Sequence, residues 1–217
     1  MSNRNVSSRG RFIVFEGIDG SGKSTQVALL SERLLAAGHR VHVTLEPSNR
    51  PIGRLLRDIL TGKEKADERA ISALFLADRL DHITADVDGM LDRLAAGETV
   101  ICDRYYFSSL AYNSLKVSMD WVLAAHQPVF DLLRPDIVLY LDLPIAESLR
   151  RIHANRDGVE HYEKEETLVQ VRENYFAAFR KLEANENIQL VDATQDVAAV
   201  SQQIWSLISV LKPRVVV

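Results

Sequence analysis

The sequence predicts an α/β fold, a single domain whose five-stranded parallel sheet carries helices on both faces. Three observations support this. Five short apolar runs, mostly without polar alternation, suit strands buried on both sides. Segments with helical spacing separate successive runs, as parallel connections require. At 217 residues the chain suits one domain with a sizeable core, and it shows no repeat, low-complexity tract or convincing linker.

The elements follow in order. Phe12-Ile13-Val14-Phe15 is the first strand and runs into a glycine-rich turn. Ser24-Thr25-Gln26 begin a helix patterned by Val27, Leu30 and Leu34, which Gly38 stops. Val41 to Leu45 is the second strand. Pro51 opens a helix carrying Ile52, Leu55, Leu56 and Ile59 that ends near Gly62. One long helical pattern then runs from Ile71 through Phe75, Leu80, Ile83 and Val87 to Leu94, where Gly97 stops it. Thr99 to Cys102 is a buried strand leading into Asp103. Residues 107–133 read as helix broken at Pro128. Ile137 to Leu141 is the fourth strand and Ile145 to Ala154 the next helix. A charged stretch at 155–166 precedes a helix carrying Leu168, Val171, Tyr175, Phe179 and Leu182. Ile188 to Val191 and a last helix through Val197, Ile204 and Leu211 complete the pattern.

Composition narrows the function classes. Hydrophobic residues at 47% and charged residues at 26% are ordinary for a globular protein. A formal charge of −4 gives no whole-chain argument for a nucleic-acid partner. The single cysteine, Cys102, excludes an internal disulfide, and no zinc-site spacing occurs. No apolar stretch reaches membrane-spanning length and the first eleven residues lack a signal-peptide core, so the expected location is the cytoplasm. Residues 1–11 are polar and expected to be a disordered tail; the domain is expected over 12–212, with a short tail at 213–217.

Residues 17–24, Gly-Ile-Asp-Gly-Ser-Gly-Lys-Ser, complete the G-x-x-x-x-G-K-[ST] phosphate loop between a strand and a helix. This makes the domain one of P-loop NTPase type. Backbone N–H groups of Gly17, Asp19, Gly20, Ser21, Gly22, Lys23, Ser24 and Thr25 are expected to cradle the phosphates of ATP, with the positive end of the helix behind them. Lys23 reaches the β- and γ-phosphates, and Ser24 holds Mg²⁺ through its hydroxyl. Asp103 ends an apolar strand on the side where ligands collect and is the second expected Mg²⁺ ligand, although an Asp here equally suits a turn cap. Arg104 beside it suits the charge dispersal of phosphoryl transfer.

The loop GIDGSGKST, then Glu46-Pro47, then Asp103-Arg104-Tyr105 followed by FSSLAY resembles the thymidylate (dTMP) kinase family over about residues 12–195. The resemblance implies an ATP- and Mg²⁺-dependent transfer to dTMP giving dTDP and ADP, commonly by a homodimer. It implies that Asp19 meets the acceptor sugar, Arg57 and Arg104 the acceptor phosphate, Phe75 and Arg79 the thymine ring, and Ser108, Ser109 and Tyr112 the base and sugar. Phe75 and Arg79 lie four apart, on one helix face. Read without the family, Phe75 suits plain core, Arg57, Arg79 and His82 suit solvated helix faces, and the two serines suit helix caps; for His82 the solvated face is the preferred reading. Ser48-Asn49 replace the Gly-Gly pair of many bacterial members, Asn113 replaces a base-contacting glutamine, and Lys116 to Pro135 match only loosely.

The segment at about 150–166 occupies the place of the family lid. Gly20 stands where some members carry a catalytic arginine, so the resemblance assigns that cation to the lid: Arg156, beside Gly158, is the candidate, and Arg151 lies over the adenine together with the Asp192-Ala193-Thr194 loop. A monophosphate acceptor, ionised above about pH 6, needs no general base, only alignment and neutralisation. Three alternatives stay open: a deoxynucleoside kinase using Asp19 or Glu16 as base, a kinase for another pyrimidine monophosphate, and a non-catalytic nucleotide-binding module.

Overall fold

The computed structural model describes residues 9–155 and 165–211. Its five strands are β1 (Phe12–Glu16), β2 (Val41–Leu45), β3 (Thr99–Asp103), β4 (Ile137–Asp142) and β5 (Ile188–Asp192). All pair in parallel, in the order β2-β3-β1-β4-β5. The register sets Phe15 beside Asp103 and Leu139, which brings the carboxyl ends of the central strands together. The phosphate loop therefore opens next to Asp103, at the sheet edge where α/β proteins bind ligands.

Helices α1 (Lys23–Ala36) and α10 (Val197–Ser209) cover one face. They bury Val27, Leu30 and Ile204 against Ile13, Phe15, Ile101 and Leu139. The other face carries α3 (Glu68–Thr84), α5 (Tyr106–Tyr112) and α9 (Glu165–Leu182), with the shorter α4 (Met90–Ala95), α6 (Met119–Ala125) and α7 (Gln127–Leu132) around them. There Phe12, Val14, Cys102 and Tyr140 meet Tyr105, Tyr175 and Phe179 in an aromatic core. The three central strands are buried on both faces, and the outer β2 and β5 expose Val43 and Leu190, which explains why their sequences alternate more. Two more helices, α2 (Pro51–Leu60) and α8 (Ile145–Asn155), flank the carboxyl ends of the strands.

Two expectations change. The helical pattern from Ile71 to Leu94 is two helices, because the chain turns between Ala85 and Gly89. Asp88 adopts a left-handed φ of 63°, and a Cβ at Gly89 would lie 2.4 Å from the Ala85 carbonyl oxygen. Val87, which continues the apolar spacing, is exposed in this break. At the amino end the chain is anchored ahead of β1: Arg9 pairs with Asp136 at 2.7 Å, and Gly10 N donates to Leu94 O.

α2 carries Arg57 and leans on the preceding turn at Gly53, where an added Cβ would stand 2.0 Å from the Ser48 carbonyl oxygen. Gly53→Ala is expected to destabilise the fold by about 1–3 kcal/mol through overpacking, read as a lower urea midpoint at unchanged slope.

Candidate active site

The phosphate loop holds its shape by glycine. Gly17, Gly20 and Gly22 have φ of 144°, 73° and 92°, and a Cβ at Gly20 would also press on the Ser148 carbonyl oxygen at 2.8 Å. Gly22 gives α1 no side-chain cap, so the first N–H groups of that helix and its positive end remain directed at the loop. Lys23 folds back and donates from Nζ to Gly17 O and Ile18 O, both at 3.0 Å. Burial and the nearby Arg104 charge push its pKa down to about 8, with Asp103, Asp19 and Glu16 partly opposing this.

Asp103 Oδ2 accepts from Ser24 Oγ at 3.2 Å, and its Oδ1 is a buried oxygen without a hydrogen-bond partner among the described residues. One hydroxyl, one carboxylate and the phosphates themselves are the kind of set Mg²⁺ takes. Among the described residues no cluster of three or more metal-ligating side chains exists, and this site does not need one.

Arg104 follows with a φ of 70°, a left-handed conformation rare outside glycine. Its backbone N–H donates to Phe15 O at 2.9 Å. Its guanidinium donates to Asp19 Oδ1 at 2.5 Å, Gly17 O at 3.1 Å and Ser108 Oγ at 3.1 Å. Burial alone would raise the Asp19 pKa, but Arg104 and Lys23 outweigh it and hold the carboxyl below its usual range. Tyr112 OH donates to the other Asp19 oxygen at 3.2 Å.

Two adjoining cavities meet at this arginine. One is lined by loop residues 19–26 with Asp103, Arg104, Arg151 and Ala193. The other is lined by Asp19, Arg57, Phe75, Arg79, Arg104, Ser108, Ser109, Tyr112 and Asn113. Asp19, Glu46 and Arg104 border both. Arg151 donates to Glu147 and, at 3.1 Å, to Ala193 O, so it ties α8 to the loop after β5 at the wall of the first cavity.

The thymidylate kinase family model matches residues 15–204. The chain is 38% identical over 209 residues to a probable thymidylate kinase of Thermococcus kodakarensis, covering 92% of this chain and 98% of that one. It is 36% identical over 208 residues to a thymidylate kinase of Bradyrhizobium sp. (strain ORS 278), covering 92% and 90%. The chain belongs to the thymidylate kinase family. It is a P-loop member of that family, with one domain and one shared cleft.

The family motifs thus converge: every predicted loop and acceptor-side residue lines one of the two cavities except Gly17, which lies beneath Arg104 and Lys23. Arg156 and Gly158 lie outside the described residues. His82 is a correction. It is buried, with Nε2 2.8 Å from Thr44 Oγ1 and Nδ1 3.3 Å from Glu46 Oε1, because its helix packs that face onto β2. Ser108 and Ser109 are no caps: they lie within α5, and Ser108 Oγ donates to Glu16 at 2.6 Å. Asn113 lines the second cavity while its Nδ2 donates to Ser72 Oγ. Ser48, in place of glycine, donates from N and Oγ to the buried Asp78 at 2.7 and 2.6 Å, which secures the turn before α2.

Sequence reasoning missed the support beneath the site. Glu16 is fully buried and accepts from Tyr105 N, Ser108 N, Ser108 Oγ and Tyr175 OH. A charged residue closing an apolar strand was a usable signal for it; Tyr175, Asp78 and His126 offered none. A further consequence concerns Lys23. Below about pH 8 it is charged with or without ligand; above that, the free protein loses the proton that a bound polyphosphate would retain. Affinity for a nucleoside triphosphate is therefore expected to fall above about pH 8, by up to about tenfold per pH unit. Calorimetry at pH 8.5 in buffers of different ionisation enthalpy should show uptake of roughly 0.5–0.8 proton per site, absent in Lys23→Met.

Proposed function

We propose that the chain transfers the γ-phosphoryl group of ATP to dTMP, giving ADP and dTDP, with Mg²⁺ held by Ser24 and Asp103. The observation that carries this reading is Arg104, a partly buried guanidinium on the wall common to both cavities. Two polyphosphates meeting there repel each other, and a shared cation lowers that cost where the transferring group passes. Lys23 serves the donor phosphates and Arg57 the acceptor phosphate. Mg²⁺, when bound, supplies further neutralisation of the donor. Phe75 stacks on the thymine, Arg79 bonds its edge, and Asp19 meets the sugar 3′-hydroxyl. Ser109, Tyr112 and Asn113 complete the pocket, and Arg151 with Ala193 holds the adenine.

The geometry disfavours a kinase for uncharged nucleosides. Such an enzyme needs a carboxylate free to take a hydroxyl proton. Asp19 is bound to Arg104 and Tyr112, and both Glu16 oxygens are occupied deep beneath the site. A silent nucleotide-binding module has no use for a second cavity lined by three arginines. We also infer a homodimer and a cytoplasmic location, as the family resemblance implies; among the described residues no helix is long and apolar enough to cross a membrane.

ADP release measured across dTMP, dUMP, dCMP, UMP, CMP and thymidine tests the assignment. dTMP is expected to lead, with thymidine at least about 100-fold lower in kcat/KM; no turnover of dTMP or dUMP defeats it. Arg156 is proposed as the lid cation. Arg156→Ala is expected to lower kcat about 10²–10³-fold while KM for dTMP changes little, and an unaltered kcat removes Arg156 from the mechanism.

A further inference from the structure

His126 lies outside both cavities yet holds a side chain that lines one of them. It sits at the junction of α6 and α7 and is 1% exposed. Its Nδ1 is 2.8 Å from Val122 O, and its Nε2 is 2.6 Å from Arg79 Nη1. A carbonyl can only accept and a guanidinium can only donate, so one tautomer satisfies both contacts: the proton is on Nδ1, and the Nε2 lone pair accepts from Arg79. Burial and the adjacent Arg79 charge push the ring pKa down to about 3, so the imidazole stays neutral wherever the enzyme is folded and active.

The rest of the Arg79 guanidinium is held from other directions. Glu46 Oε2 accepts from Nε at 2.7 Å and lies 2.6 Å from Nη2, while Ser109 Oγ accepts from Nη1 at 3.0 Å. The Tyr105 ring lies 5.2 Å from the guanidinium carbon. Glu46 supplies the opposite charge on one side of the fork. His126 and Ser109 restrain the other side, and of the two contacting atoms only His126 Nε2 can do no more than accept, since the serine hydroxyl also rotates and donates.

We propose that His126 is a positioning residue: by accepting from Arg79 Nη1 it fixes the plane of the guanidinium, and thereby sharpens selection for a pyrimidine with a carbonyl, not an amino group, at position 4. A fixed donor suits the O4 of thymine or uracil and opposes the amino group of cytosine, which is also a donor. A mobile one discriminates less. This rests on the reading that Arg79 meets the base.

The test compares the full-length parent with His126→Leu, which keeps bulk but no acceptor, and His126→Gln, whose amide oxygen can reach the Nε2 position. Steady-state constants are measured for dTMP, dCMP and ATP, with thermal melting as the folding control. H126L is expected to raise KM for dTMP about tenfold, consistent with a lost hydrogen bond to a charged group. The ratio of kcat/KM for dTMP over dCMP should narrow to a similar extent, with KM for ATP nearly unchanged. H126Q should restore most of the ratio. A folded H126L with the parental ratio overturns the proposal, as does H126Q falling as far as H126L. If H126L does not fold, H126Q decides alone: a retained ratio supports the role of an acceptor, and a collapsed one overturns it. Arg79→Lys separates the two readings. If it keeps the full preference for dTMP, the base contact itself is wrong; if it alone loses the preference, the base contact stands and the His126 assignment fails.

Discussion

The site depends on a carboxylate that never meets the solvent. Glu16 closes β1 at the centre of the sheet and collects four donors from two later parts of the chain: two backbone N–H groups and a hydroxyl from the start of α5, and the Tyr175 hydroxyl from α9. Burial raises its pKa, against the bonds from Ser108 and Tyr105 and the Arg104 charge. A charged group at such depth is tolerable only when its lone pairs are fully engaged. Engaging them requires α5 to start in one place, and that placement delivers Arg104 to the wall between the cavities.

Arg104 in turn shows what the arrangement costs. Its backbone is in a region that non-glycine residues avoid, at about 1–3 kcal/mol for such positions in general. Its charge also works against Lys23, whose pKa is depressed in part by it. Two cations held close together without a polyphosphate are mutually unfavourable, and an anion between them relieves both. The loop, the uncapped start of α1, Lys23 and Arg104 thus form a preorganised positive region whose repulsion is lowered when phosphates enter.

The cavity lined by Arg57 and Phe75 is built on a separate buried polar network. Asp78 holds the turn at Ser48, and Glu46 holds Arg79 and approaches His82. α3 is therefore fastened to the β2–α2 connection along its inner face by charge and hydrogen bonds, leaving Phe75 free to line the cavity. Substituting Ser48 for a small flexible residue does not loosen this turn, because the hydroxyl becomes part of the fastening.

The order of strands and helices, the phosphate loop and the acid at the end of β3 were all legible from the chain, because apolar periodicity and glycine-rich turns are local in origin. The break at Asp88-Gly89 was not, since Ile83, Val87 and Met90 keep a helical spacing across a turn that only the packing of α4 on the sheet requires. Nor was the burial of His82: its neighbours in sequence describe a helix but not the strand lying against it. Glu16 and Tyr175 are 159 residues apart, and Arg79 and His126 are 47 apart. By itself, the sequence determined the strands, most of the helices and the glycine-rich phosphate-loop motif that follows the first strand. Tertiary structure alone decided which polar side chains are buried and how Arg79 and Arg104 are aimed, because a buried donor or acceptor is satisfied by whatever group the fold brings to it from a distant part of the chain.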